Sequence, residues 1–239
     1  SRYVANGKTQ NRKLDFLDCR RLYLCTPIPQ KRNALHFIPI PFIHHHCYYG
    51  LYRMETTLTQ HPSPLTKVAF VGPESTGKTT LSALLAQHYH TLYVEEYMRT
   101  YLQRKWDELR LTCTPDDVLP IAEGQMRTEN QLAAKAHRFL FCDTCLLELM
   151  IYSYLYYGYC DPRIEQAALS HHYDFIFLTY IDVPWVADNL RDKPNERDQV
   201  FAFFQQMLDL HHISYIILKG DLHTRQQQVV HFLDSYQKI

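Results

Sequence analysis

The chain has 239 residues, of which 46% are hydrophobic, with 25 Lys/Arg against 25 Asp/Glu and seven Cys. That length buries one full α/β core, and no run approaches the roughly 18 apolar residues a membrane span needs. Seven Cys with no secretory signal argue against a disulfide-built secreted domain and for a reducing cytoplasm.

The zero net charge hides an asymmetry. Residues 1–53 carry nine Lys/Arg against two Asp/Glu, and the remainder carries 16 against 23. The first segment is broken by Pro27, Pro29, Pro39 and Pro41 and lacks any long periodic stretch. It reads as a basic N-terminal extension, disordered or a mis-assigned start, with Met54 as the natural initiator and 54–239 as the folded unit. Its His44-His45-His46-Cys47 run resembles a metal tract, but no second ligand pair is spaced to complete a zinc site.

The next element is the most informative. Lys67-Val68-Ala69-Phe70-Val71 has the pattern of a buried strand, and Gly72-Pro73-Glu74-Ser75-Thr76-Gly77-Lys78-Thr79 follows as a complete G-x-x-x-x-G-K-[ST] phosphate loop. After it, Leu81, Leu84, Leu85 and His88 recur at helical spacing. In such a loop the backbone N–H groups of Glu74 to Thr80 and the positive end of the following helix face phosphate oxygens. Lys78 is expected on the β and γ phosphates of ATP, and Thr79 on a magnesium ion.

Strands are then expected at Leu92 to Glu95, Phe139 to Cys142, Phe175 to Ile181 and Tyr215 to Leu218. Helices are expected at Lys78 to Tyr89, Tyr97 to Leu109, Ile121 to His137, Cys145 to Tyr157, Glu196 to Leu210 and about Thr224 to Tyr236. This alternation predicts an α/β fold, a P-loop kinase-type three-layer sandwich with a mostly parallel five-stranded sheet, whose ligands bind beyond the carboxyl ends of the strands. Carboxylates do follow three of those ends: Glu95-Glu96, Asp143 and Asp182. Phosphoryl transfer to a hydroxyl asks for such groups, one to orient or deprotonate the acceptor and one to hold magnesium. Cys142-x-x-Cys145 has redox-motif spacing, but its place at the end of an apolar strand favours packing. The polar, Pro-containing stretch Asp188 to Arg197 reads as a lid whose Arg191, Lys193 and Arg197 close over the triphosphate.

The segments GPESTGKTT, EEYMR, Ile121-Ala122-Glu123-Gly124-Gln125, RFLFCDT and DVPWVADNLR, in that order and spacing over residues 66–235, resemble the ribosylnicotinamide kinase domain of the NadR family. The resemblance implies a P-loop kinase that uses ATP and Mg2+ to phosphorylate the 5′-hydroxyl of nicotinamide riboside, giving nicotinamide mononucleotide in NAD salvage. It implies catalytic roles for Lys78, Glu96, Asp143, Arg191 and Arg197, with Glu96 as base and Thr79 and Asp143 as the metal pair. It further implies substrate contacts from Glu96, Tyr97, Arg99, Gln125, Trp185 and Asp188, with Tyr101 as a further aromatic candidate. The family's Pro-Glu-Tyr-x-Arg-Glu-Tyr departs here at Glu95 and Thr100, which bears on those two positions alone. Residues 1–65 contain no His-x-Gly-His, so adenylylation is not expected, nor is repressor activity. Two other readings stand beside this one. The chain could be a different P-loop nucleoside or nucleotide kinase, or an ATP-switched regulatory ATPase served by the basic first 53 residues. Neither a membrane nor nucleic acid is the expected partner.

Overall fold

The computed structural model describes residues 58–184 and 196–236. The expectations for residues 1–53, and for Trp185, Asp188, Arg191 and Lys193, lie outside the described residues.

Among the described residues, five strands form one sheet: β1 (Thr66–Val71), β2 (Leu92–Val94), β3 (Phe139–Asp143), β4 (Phe175–Thr179) and β5 (Ile216–Leu218). Their order is β2-β3-β1-β4-β5, and every pairing is parallel, so the sheet is wholly rather than mostly parallel. Seven helices accompany it among the described residues: α1 (Lys78–His88), α2 (Tyr97–Leu109), α3 (Pro115–Ala133), α4 (Leu146–Tyr157), α5 (Pro162–Ser170), α6 (Arg197–Leu210) and α7 (Leu222–Ser235). Among the described residues, no helix is long and apolar enough to cross a membrane.

The sheet is parallel because each strand is apolar on both faces and each connection is a covering helix. Along β1 every residue is buried. Val68 and Phe70 join Leu81 and Leu85 of α1 and Val229 and Leu233 of α7, while Ala69 and Val71 join Met126, Leu146, Met150 and Phe204 on the other face. The α1/α7 face is filled by aromatics, with Phe70 stacked on Phe141 at 6.4 Å and on Phe177 at 5.7 Å between ring centroids. Cys142 and Cys145 are buried on the opposite face with free thiols.

Two elements differ from the sequence expectation. Helix α3 begins six residues earlier than Ile121, at Pro115, because Thr114 and Asp117 close a capping box around a Pro at the first helical position. Helix α5 was not anticipated. Asp161 caps it by accepting from the Arg163 N–H at 2.9 Å, and Ile164 and Ala168 are its buried stripe.

The core also starts upstream of Lys67. Leu58 and Leu65 are buried, and the segment between them is sewn to α3 and to the residues after α5. His61 N–H donates to Asn130 Oδ1 at 2.9 Å, Gln60 Nε2 donates to Glu129 Oε1 at 2.8 Å, and His172 N–H donates to Gln60 Oε1 at 2.9 Å. Glu129 is itself fully buried against Lys67 at 3.0 Å and accepts from Tyr173 Oη at 2.7 Å. A chain starting at Lys67 is therefore expected to melt roughly 10 °C below the full chain, since two buried Leu contribute about 1.5–3 kcal/mol each. Equal melting temperatures would show that the 58–66 segment is dispensable.

Candidate active site

Beyond the carboxyl end of the central strand, Gly72 has φ 138° and lies against the end of β4. A Cβ there would stand 2.7 Å from Thr179 Oγ1 and 2.9 Å from its carbonyl oxygen, so the close approach admits only glycine. Ser75 (φ 57°) and Gly77 (φ 83°) are left-handed, which turns the intervening N–H groups inward as an anion nest requires. The loop is held from behind. Thr76 Oγ1 donates to Pro73 O at 2.7 Å and lies 2.7 Å from Thr179 Oγ1.

Two arginines grip its carbonyls. Arg197, the first residue of α6, donates to Ser75 O at 3.2 Å and to Val183 O at 2.9 Å. Arg225 of α7, fully buried, donates to Thr76 O at 2.6 Å, to Tyr180 O at 2.8 Å and to Gly220 O at 2.9 Å. Asp182 was expected to face the phosphates. It instead accepts from Gly220 N–H at 2.6 Å and pairs with Arg225, so it serves the scaffold.

Lys78 is buried, and its ammonium donates to Gly72 O at 2.7 Å and Pro73 O at 3.1 Å. It also pairs with Glu148 Oε1 at 3.2 Å, whose Oε2 accepts from Gly72 N–H at 3.1 Å. Glu148 was not anticipated, although it is the one charged residue in the apolar helix LLELMIYSYLYY, and that was the available signal. Burial works against the Lys78 ammonium, but the carboxylates of Glu148, Glu96 and Asp143 outweigh it and hold its pKa above the ordinary value. Burial pushes the Glu148 carboxyl up to about 8, against the pull of Lys78 and with the repulsion of Glu96 and Asp143 adding to it.

That displacement has a measurable sign. A carboxyl whose pKa is raised in the folded state contributes stability that is whole below its ordinary 4.5 and is lost as pH rises through about 8. Glu148→Gln keeps an acceptor for Gly72 N–H but cannot ionise. The melting temperature of the wild type relative to this variant is expected to fall across that window. A difference that stays flat from the lower pH to the upper would show that Glu148 titrates normally.

Asp143 ends β3 and is 1% exposed. Burial raises its carboxyl to about 6, moderated by Lys78 and by the hydrogen bond from the Thr79 hydroxyl. Its Oδ2 is buried with no hydrogen-bond partner among the described residues. An unmatched carboxylate oxygen beside a loop threonine fits a magnesium ion, which binds through one or two carboxylates plus phosphate oxygens and water. Among the described residues, no three His, Cys, Asp or Glu converge on a metal position, so Thr79 and Asp143 would hold it together with the nucleotide.

Glu96 sits at the N-cap of α2, 3.7 Å from the Arg99 guanidinium. Both line one cavity of about 800 Å³ with Glu74 to Thr80, Asp143 and Glu148. The aromatic part of that cavity comes from Trp106, Tyr152, Tyr156 and Tyr157, none of which was singled out from the sequence. Tyr152 and Tyr156 stack with centroids 5.7 Å apart and planes 19° apart. Tyr97, expected at the substrate, packs on α3 instead: a Cβ on Gly124 would fall 2.0 Å from its ring. Its N–H donates to Gln125 Oε1 at 2.8 Å. Tyr101 is likewise committed to α3, through Asp117 at 3.1 Å.

Residues 67–225 match the family model of the AAA domain. The trifunctional NAD biosynthesis/regulator protein NadR of Escherichia coli (strain K12) is 28% identical over 153 residues, covering 62% of this chain and 37% of that protein. The chain spans about a third of the length of the curated relatives it matches. Among solved structures, NadR in complex with NR is similar with a TM-score of 0.60 at 20% identity, covering 72% of this chain and 52% of that one. A deoxyadenosine kinase from M. mycoides, with its products bound, is similar with a TM-score of 0.54 at 14% identity, covering 71% of this chain and all (100%) of that one. At such identities these likenesses show the fold, an α/β P-loop kinase-like architecture.

Proposed function

We propose that this chain, which belongs to the AAA domain family, is a nucleoside kinase that transfers the γ-phosphoryl group of ATP to the 5′-hydroxyl of nicotinamide riboside. The observation that carries this reading is one cavity with two unlike ends. The phosphate loop with Lys78 and the Thr79–Asp143 pair forms one, and an aromatic pocket edged by Glu96 and Glu148 forms the other. A pyridinium nucleoside bears a fixed positive charge on a planar ring, which the Tyr152–Tyr156 stack, Trp106 and nearby carboxylates suit. Similarity to NadR, one structure of which holds NR, supports the same substrate.

In this mechanism the loop N–H groups and Lys78 fix the triphosphate, and Lys78 neutralises charge as the phosphoryl group moves. Thr79 and Asp143 would hold a magnesium ion, which would offset phosphate charge when bound. Glu96 takes the acceptor's hydroxyl proton, with the Arg99 guanidinium 3.7 Å from the carboxylate. Arg197 and Arg225 keep the loop carbonyls turned away from the phosphates. The reaction suits a cytoplasmic setting, where ATP is abundant and the free thiols of Cys142 and Cys145 stay reduced.

The test is ADP release with ATP, Mg2+ and a panel of nucleosides. Nicotinamide riboside should give the highest kcat/KM. Preference for an uncharged nucleoside would reassign the acceptor, and ADP release that ignores every acceptor would sink the kinase reading. In the same assay, a chain starting at Met54 is expected to match the full chain, because every described residue that lines the cavity lies at or beyond Glu74. Loss of acceptor binding on that truncation would overturn the division at residue 54.

A further inference from the structure

Beside the large cavity lies a recess of about 20 Å³, room for one water-sized group. It shares Glu96, Glu148 and Tyr152 with the cavity wall and adds Gln125 from α3. Two of these polar side chains are more than nine-tenths buried and end without a partner among the described residues: Gln125 Nε2 and Tyr152 Oη. A buried donor left unmatched is destabilising, and two such side chains lining one recess point to a ligand that satisfies both.

The chemistry of that ligand follows from what each group offers. Gln125 Oε1 is already taken by Tyr97 N–H, so the amide presents only its NH2 as donor. Glu148 is already engaged by Lys78 and Gly72 N–H, so Glu96 presents the carboxylate that accepts. Tyr152 Oη donates or accepts. A carbonyl in the recess would satisfy Gln125 and leave the carboxylate facing a lone pair. An ammonium would do the reverse, and a methyl would satisfy nothing. A hydroxyl accepts from the amide while donating to a carboxylate, as a water molecule does, and one carried by a ligand fits the recess in place of water.

Resting on the nucleoside-kinase reading, we propose that this recess is a subsite for one sugar hydroxyl of the acceptor, distinct from the hydroxyl that is phosphorylated. On a ribose only the 2′- and 3′-hydroxyls remain. The site therefore selects a ribonucleoside over the analogue that lacks the group, because removing it strands Gln125 and Tyr152 again. Sites built around a substrate hydroxyl discriminate far more strongly than apolar pockets do.

Calorimetric titration of the full chain with nicotinamide riboside and with its 2′-deoxy and 3′-deoxy analogues tests this without depending on turnover. One analogue should bind on the order of 100-fold more weakly than the parent, with the other within about threefold. Tyr152→Phe, which removes one oxygen and keeps the ring, should weaken the parent and shrink that gap to about tenfold or less. The proposal is overturned if both analogues match the parent, if the gap is the same in Tyr152→Phe, or if the parent does not bind. Hydroxyl-dependent binding without ADP release would sink the kinase reading and leave the subsite standing. Turnover with no discrimination would do the opposite.

Discussion

Lys78→Ala is expected to lower turnover by about three orders of magnitude while the protein stays folded. Among the described residues the lysine is the one cation whose ammonium sits within the loop, and loss of such a contact removes on the order of 4 kcal/mol of transition-state stabilisation. Folding survives for a reason visible in the site. The substitution strands the buried Glu148 carboxylate, which would be costly if its charge stayed, yet burial already holds that carboxyl at about 8, so it takes up a proton. The variant should accordingly lose stability at alkaline pH more than at neutral pH. Turnover above about a tenth of wild type, a barrier change under roughly 1.4 kcal/mol, would show that Lys78 does not contact the transferred group.

The two carboxylates at the ends of β2 and β3 are expected to fail differently. Glu96→Gln should cut kcat by about 100-fold, the scale of losing general-base help, with the magnesium dependence unchanged. Asp143→Asn should shift half-maximal activity to higher magnesium concentration, since the unmatched Oδ2 becomes an amide nitrogen or a neutral oxygen. A magnesium titration run on both variants decides between the roles. Should Glu96→Gln carry the metal shift and Asp143→Asn the metal-independent loss, the assignments must be exchanged.

What could be read from the chain alone was whatever is written locally. The phosphate loop is eight consecutive residues, and each strand announces itself by apolar residues over a few positions, so Lys78, Thr79 and the strand-end Asp143 were legible together with the layered fold. Contacts that span the chain were not. Glu148 lies 76 residues from the glycine it accepts from, and nothing around either residue names the other. Tyr97 shows the limit from the opposite side. Its aromatic character suggested a ligand face, but the direction of its ring is set by the gap that Gly124 leaves on a neighbouring helix. The aromatic wall of Trp106 and Tyr152 was obscured by abundance, because 18 tyrosines make any one of them a weak signal. Helix α5 was obscured by brevity: nine residues with two buried ones give little periodicity.

Arg225 is separated from the Thr76 carbonyl it grips by 149 residues. During synthesis on the ribosome, the phosphate loop emerges 149 residues before its backbone keystone. Closing so long a loop is entropically expensive and comes late in folding. Nucleotide can therefore meet a finished loop only after α7 has docked, and until then the nascent chain has no competent site to occupy with ATP.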